Sequence, residues 1–163
     1  MYEGTTAIQG LDFFFRKIVK DGGKALRKIA KEISALAASG GANAEIKAGL
    51  GVALNEVNVA IGSMVGVAIA SQEVPKEIYK VGLNTSRLLM NVGDIICAWL
   101  LIRAADIATE KLANASDKDK PFYEGKIAAA KFFVTNVLTY IYVDRAIIEK
   151  ADNTIMELAE NAF

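Results

Sequence analysis

Few side chains in this sequence are equipped for chemistry, and their types narrow what that chemistry is. Histidine is absent, which removes imidazole general bases, Ser-His and Cys-His nucleophile pairs and most zinc sites. Cys97 is the only cysteine, so no intrachain disulfide forms and a reducing cytoplasm is the expected compartment. Carboxylates remain. Glu3 stands near a helix start, where a negative charge suits the helix dipole. Asp94 lies between Leu88-Leu89-Met90 and Ile95-Ile96. It is therefore expected to be at least partly buried, and either to find a partner in Arg87, Arg103 or Arg145 or to carry a raised pKa. An interhelical ion pair or hydrogen bond suits that position better than a catalytic role. Asp117 and Asp119 look like the start of a calcium loop, but Pro121 follows and no Glu closes the pattern. A solvated connection is expected there, and no metal site.

These residues must be positioned by a fold that the composition already bounds. The chain has 163 residues, 53% of them hydrophobic, and only 2 prolines, enough to bury one core. Lys+Arg and Asp+Glu both number 19, so there is no general pull toward nucleic acid or an anionic membrane. Charge is nonetheless uneven, with a basic N-terminal part and an acidic C-terminal one that are expected to attract each other. The longest uncharged run, Val57 to Gln72, spans 16 residues and falls short of the roughly 20 needed to cross a bilayer. No membrane span is expected.

Gly22-Gly23, Gly40-Gly41, Val74-Pro75 and the Ser116 to Pro121 stretch punctuate the chain. Between them apolar residues recur every three or four positions: Ile8, Leu11, Phe14, Phe15 and Ile18, then Leu26, Ile29, Ile33 and Leu36. Asn43 suits the N-cap of a third helix that runs to Gln72, and Pro75 suits the first turn of a fourth that runs to about Asn114. A last helix follows Pro121 and either continues or kinks before Ile155. The expected fold is all-α: an antiparallel up-down helical bundle with long helices and a shorter N-terminal helix pair. Gly62 and Gly66 give the third helix a smooth face that a neighbour is expected to approach closely. Gly49-Leu50-Gly51 lies inside a helical run and makes no dinucleotide loop.

Two stretches carry a resemblance. Met1-Tyr2-Glu3-Gly4-Thr5-Thr6-Ala7-Ile8-Gln9, followed by Asp12-Phe13-Phe14-Phe15-Arg16-Lys17, resembles the Tyr-Glu-Gly-Thr…Ile-Gln segment near the end of the catalytic region of FAD-dependent acyl-CoA dehydrogenases. Trp99, Ala104-Ala105, Asp119, Phe122-Tyr123 and Lys126 to Phe133 are similar to the extra C-terminal helical domain of the larger bacterial members, which include enzymes similar to 3-methylmercaptopropionyl-CoA dehydrogenase.

The resemblance implies a division at residue 21: 1–21 as the end of the catalytic domain and 22–163 as the C-terminal bundle domain. It implies that Glu3 is the base that removes the α-proton of an acyl-CoA thioester while the β-hydrogen leaves as hydride to flavin N5. A carboxylate suits that task, because an apolar pocket raises its pKa toward working pH. Gly4 would let the backbone approach the thioester, and Thr5, Thr6 and Ala7 would contact FAD. Ala7 departs from relatives with a polar residue there, and some branches carry the glutamate on another helix. Most of the flavin and acyl-CoA sites of the family lie upstream of such a motif. The chain therefore reads as a carboxy-terminal fragment whose partners are the flavin-binding domains of the same enzyme. Alone it is expected to hold no flavin and to be inactive, and to self-associate through Phe14 or Phe15 of the first helix as a homo-oligomer. A free-standing helical interaction module without catalysis is the alternative.

Overall fold

The computed structural model describes residues 5–162. Among them the chain forms α1 (Thr6–Asp12), which continues through Phe13–Lys20 as a π-helix, α2 (Lys24–Ala37), α3 (Ala44–Ala70), α4 (Ile78–Leu112), α5 (Lys120–Asn136) and α6 (Thr139–Glu149). Short 3-10 turns at Pro75–Glu77, Ile155–Glu157 and Glu160–Ala162 complete the description. No strand occurs among the described residues, so the all-α bundle expected from the sequence is the fold. The turns fall where glycine permits them. Gly22, Gly23, Gly40 and Gly41 all have positive φ, from 62° to 87°, a backbone conformation that costs glycine little and other residues much.

The long helices pack antiparallel. Asn43, at the start of α3, donates to Asp106 and Thr109 near the end of α4. The last helix of the sequence reading kinks: α5 ends at Asn136, and α6 continues the same direction from Thr139. Together α5 and α6 form one interrupted rod. It lies along α3, with Val134 against Gly49 and Arg145 bonded to Glu56, and runs antiparallel to α4, where Arg87 meets Asp144. The seam between these rods is closed by Leu50, Met64, Leu88, Ile102 and Ile141, each at most 2% exposed. Burial of each such side chain contributes roughly 1.5–3 kcal/mol.

The N-terminal segment is part of this core. Gly10, Phe14 and Ile18 are buried at four-residue intervals. In an α-helix four residues turn 400°, so such a row drifts by about 40° per step. The wider π coil from Phe13 to Lys20 offsets the drift and keeps Phe14 and Ile18 on the bundle side. Phe14 is therefore a fully buried core residue and not the self-association surface that the sequence suggested. Phe13 and Phe15 are partly buried beside it.

Three other expectations are corrected. Gly62 and Gly66 face open space, with nothing within 4 Å of a Cβ built on either. Close approach occurs instead at Gly49 and Gly10. A Cβ on Gly10 would lie 2.9 Å from the backbone of Thr85 and Ser86. Asn43 precedes α3 without a side-chain cap bond, because its amide is committed to α4. The basic start and acidic end of the chain share no ion pair among the described residues: Glu157 meets Lys76, and Arg145 meets Glu56 and Glu149.

Two helices, Ala44–Ala70 and Pro75–Leu112, are long and apolar enough to cross a membrane by length and composition. Both are core helices of the bundle, and both carry charges within their length that pair across helices, Lys47 with Asp106 and Arg87 with Asp144.

The glycines give opposed predictions. Gly62→Ala should raise the thermal midpoint, because alanine is worth about 0.5–1 kcal/mol over glycine in an unobstructed helix interior. Gly10→Ala should lower it, by about 1–3 kcal/mol of overpacking against the backbone of α4. Thermal unfolding followed by circular dichroism checks both signs.

Candidate functional site

The motif residues divide at the edge of the described region. Glu3 and Gly4 lie outside the described residues. Thr5, Thr6 and Ala7 are exposed at the start of α1. Thr5 makes no side-chain cap bond, and its carbonyl accepts from the Gln9 amide. The first amides of α1 therefore face outward as donors without helical acceptors, as at any helix N-terminus. Such donors suit an anionic or polar ligand group. No cavity described here is lined by these three residues.

α1 reaches this position by crossing α4 at Gly10. Beside the crossing is an open apolar groove of about 360 Å³, lined by Leu11, Phe15, Ile78, Tyr79, Leu83 and Met156. It has no carboxylate, amine or thiol in its lining. It offers mainly apolar contact, with the Tyr79 phenol as its polar group. Inside the bundle, the crevice between α2, α3 and α4 next to Ile33, Leu54 and Ile95 has about 20 Å³. That is room for about one water and too little for an acyl chain.

The polar groups within the bundle hold helices together. Lys47 is only 5% exposed. Its ammonium donates to the Gly40 carbonyl at 2.8 Å and meets the Asp106 carboxylate at 2.8 Å. Asn43 donates to the other Asp106 oxygen at 2.9 Å and to the Thr109 hydroxyl at 3.1 Å. Sequence reasoning missed this cluster, although Asn43, Ile46, Lys47 and Leu50 follow the inward spacing of α3. It also missed Asn84, Thr85 and Asn91, which are buried in α4 at the same spacing as Leu88 and Ile95.

Asp94 is partly buried as expected, but none of its three anticipated partners takes it. Arg87 donates to Asp144 at 2.5 Å, Arg145 to Glu56 and Glu149, and Arg103 stacks over Trp99. Burial first and the nearby Asp144 carboxylate second push the Asp94 carboxyl above its ordinary range. Arg145 moves the other way in effect: its hydrogen bond to Glu56 raises its pKa and keeps it charged. Among the described residues no group of carboxylates and thiols could hold a metal ion.

The raised Asp94 has a stability consequence. A carboxyl whose folded-state pKa exceeds the unfolded value of about 4 disfavours the folded state once it ionises, as pH rises from that value through the folded pKa. Asp94→Asn should therefore raise the thermal midpoint at neutral pH, and the gain should vanish below about pH 4. Melting curves of both proteins across pH check the sign. An equal gain at all pH values would assign the effect to packing instead.

The helical bundle is similar to known proteins. Residues 25–159 match the family described as "Acetyl-CoA dehydrogenase C-terminal like". The broad-specificity linear acyl-CoA dehydrogenase FadE5 of Mycobacterium tuberculosis is 46% identical over all of this chain and 27% of its own length. A butyryl-CoA dehydrogenase of Syntrophomonas wolfei is 28% identical over all of the chain and 26% of its own length. The 3-methylmercaptopropionyl-CoA dehydrogenase of Ruegeria pomeroyi is 30% identical over 96% of the chain and 26% of its own length. The chain thus spans about a quarter of the length of these relatives. It belongs to the family of acyl-CoA dehydrogenase C-terminal domains.

Proposed function

We propose that this chain is the C-terminal helical part of an FAD-dependent acyl-CoA dehydrogenase that introduces an α,β double bond into an acyl-CoA thioester. Its partners in that reading are the flavin-binding domains of the same enzyme, in a reducing cytoplasm. The observation that carries the reading is the match of the whole chain to about a quarter of the length of acyl-CoA dehydrogenases, joined to the outward placement of Thr5, Thr6 and Ala7 on a helix fastened to the bundle.

In this reading residues 1–21 belong to the catalytic region and residues 22–163 to the bundle domain. Glu3 takes the α-proton of the thioester. Gly4 lets the backbone approach the substrate. The first amides of α1, with Thr5, Thr6 and Ala7, face the flavin. When bound, FAD supplies the acceptor for the β-hydrogen as hydride. The rest of the chain holds the motif in place: Gly10 seats α1 on α4, and Phe14 locks it into the core. The bundle itself contributes stability and subunit contacts, and the whole enzyme is a homo-oligomer. In this reading acyl selectivity belongs to residues outside this chain.

The chain alone is expected to bind no flavin and to turn over no acyl-CoA. Joined to the flavin-binding domains, it should support acyl-CoA-dependent dye reduction. Glu3→Gln in that holoenzyme should lower kcat by at least about 10²-fold, with flavin still bound, because the reaction loses its general base. Unchanged turnover in Glu3→Gln would place the base on another residue. Flavin absorbance in the purified short chain would overturn the division of labour.

A further inference from the structure

The net charge of zero hides a strong local excess. Residues 13–31 carry seven Lys/Arg and one acidic residue, whereas the rest of the chain holds twelve Lys/Arg against eighteen Asp/Glu. The basic stretch forms the π-helix, the Gly22-Gly23 turn and the first part of α2. Phe14, Ile18 and Ile33 turn the apolar faces of this hairpin into the core, which leaves Lys17, Lys20, Lys24, Arg27, Lys28 and Lys31 exposed. Lys24, Lys28 and Lys31 follow at steps of four and three residues, so they share one face of α2. None of the six makes an ion pair among the described residues. The nearby acids are otherwise placed: Asp12 holds Arg16, and Asp21 accepts from the Ala25 amide at the start of α2.

Like charges so close together repel one another, and an external anionic surface relieves that repulsion. The residue types distinguish between such surfaces. Protein interfaces favour Arg and aromatic anchors and are poor in Lys. Here five of the six cations are Lys, and no exposed aromatic residue lies within the stretch. Val19 and Ile29 stand among the lysines in the sequence, 45% and 37% exposed. Apolar side chains between cations suit the headgroup boundary of a bilayer better than the phosphate backbone of a nucleic acid.

We propose that this basic hairpin is a docking surface for an anionic lipid bilayer. The six cations reach the headgroups on their long stems, and the bundle rests on the membrane without crossing it. Because the apolar faces of the hairpin stay in the core, the attachment is electrostatic and reversible. Each cation near an anionic leaflet strengthens it by roughly fivefold, and salt screens it. The inference rests on the charge of the hairpin and not on the catalytic reading of Glu3.

Phosphatidylcholine vesicles containing about 30% phosphatidylserine should sediment the purified chain at about 50 mM salt, and about 200 mM salt should release most of it. Vesicles of phosphatidylcholine alone should leave it in solution. Lys24→Glu with Lys28→Glu should weaken binding by about tenfold or more, with helicity unchanged by circular dichroism, whereas Lys24→Arg with Lys28→Arg should preserve it. Lys118→Glu with Lys131→Glu changes net charge equally at exposed positions outside the hairpin and should bind like the parent. No sedimentation with the phosphatidylserine vesicles, or equal weakening by the changes at Lys118 and Lys131, would overturn the proposal. Stronger binding to duplex DNA than to the vesicles at equal phosphate concentration and salt would overturn the assignment to lipid.

Discussion

The close approach of α1 to α4 at Gly10 is the constraint on which the rest depends. Backbone meets backbone there, with Thr85 and Ser86 where a Cβ would have to fit. Anything larger than hydrogen at residue 10 would force that backbone to shift, and the crossing fixes the direction in which the first turn of α1 points. Phe14, fully buried, then strengthens the crossing, because withdrawing it would open the core. Thr5 to Gln9 are thus carried, exposed, on a short arm whose root is packed at Gly10 and Phe14. That geometry suits a segment completing a site built mainly by other parts of an enzyme.

Charge plays a different role from the one its distribution suggested. Three of the buried or half-buried ions pair across helices: Lys47 with Asp106, Arg87 with Asp144, Arg145 with Glu56. Such pairs add little net stability once desolvation is counted, but breaking one leaves an uncompensated charge inside. They therefore select register. Lys47 and Asn43 tie the start of α3 to the end of α4, and Arg145 sets α6 against the middle of α3. Asp94 is the carboxylate this pairing leaves over, with its neighbour Asp144 already taken by Arg87.

Much of this was legible in the sequence, for physical reasons that differ by element. Helical periodicity and the Gly-Gly and Pro punctuation located the helices closely, because an amphipathic stripe records which side is buried. Of the row Ile78, Val81, Leu88, Val92, Ile95, Trp99 and Ile102 that helical spacing turns inward in α4, all are buried except Ile78 and Trp99, which are partly buried. The Tyr2 to Gln9 motif and the helical stretch after it pointed to the family. What the sequence concealed depends on three-dimensional neighbours. Gly62 and Gly66 have the spacing of a packing face yet point outward, whereas the single Gly10 makes the close contact. Composition cannot tell these apart. Asn43 looked like a cap and serves a tertiary bond. Arg87, Arg103 and Arg145 were each within sequence reach of Asp94, but their partners were decided by how α6 lies on α3 and α4.

The π coil between Phe13 and Lys20 has a further consequence for how the molecule tolerates change. A wide coil holds an extra residue compared with an α-helix advancing the same distance. The segment joining the motif to the bundle therefore contains slack. A one-residue shortening within it would return the segment to α geometry and turn α1 about its own axis, moving Phe14 or Ile18 away from the bundle side. Length at this joint therefore couples the direction of the arm to the burial of its root.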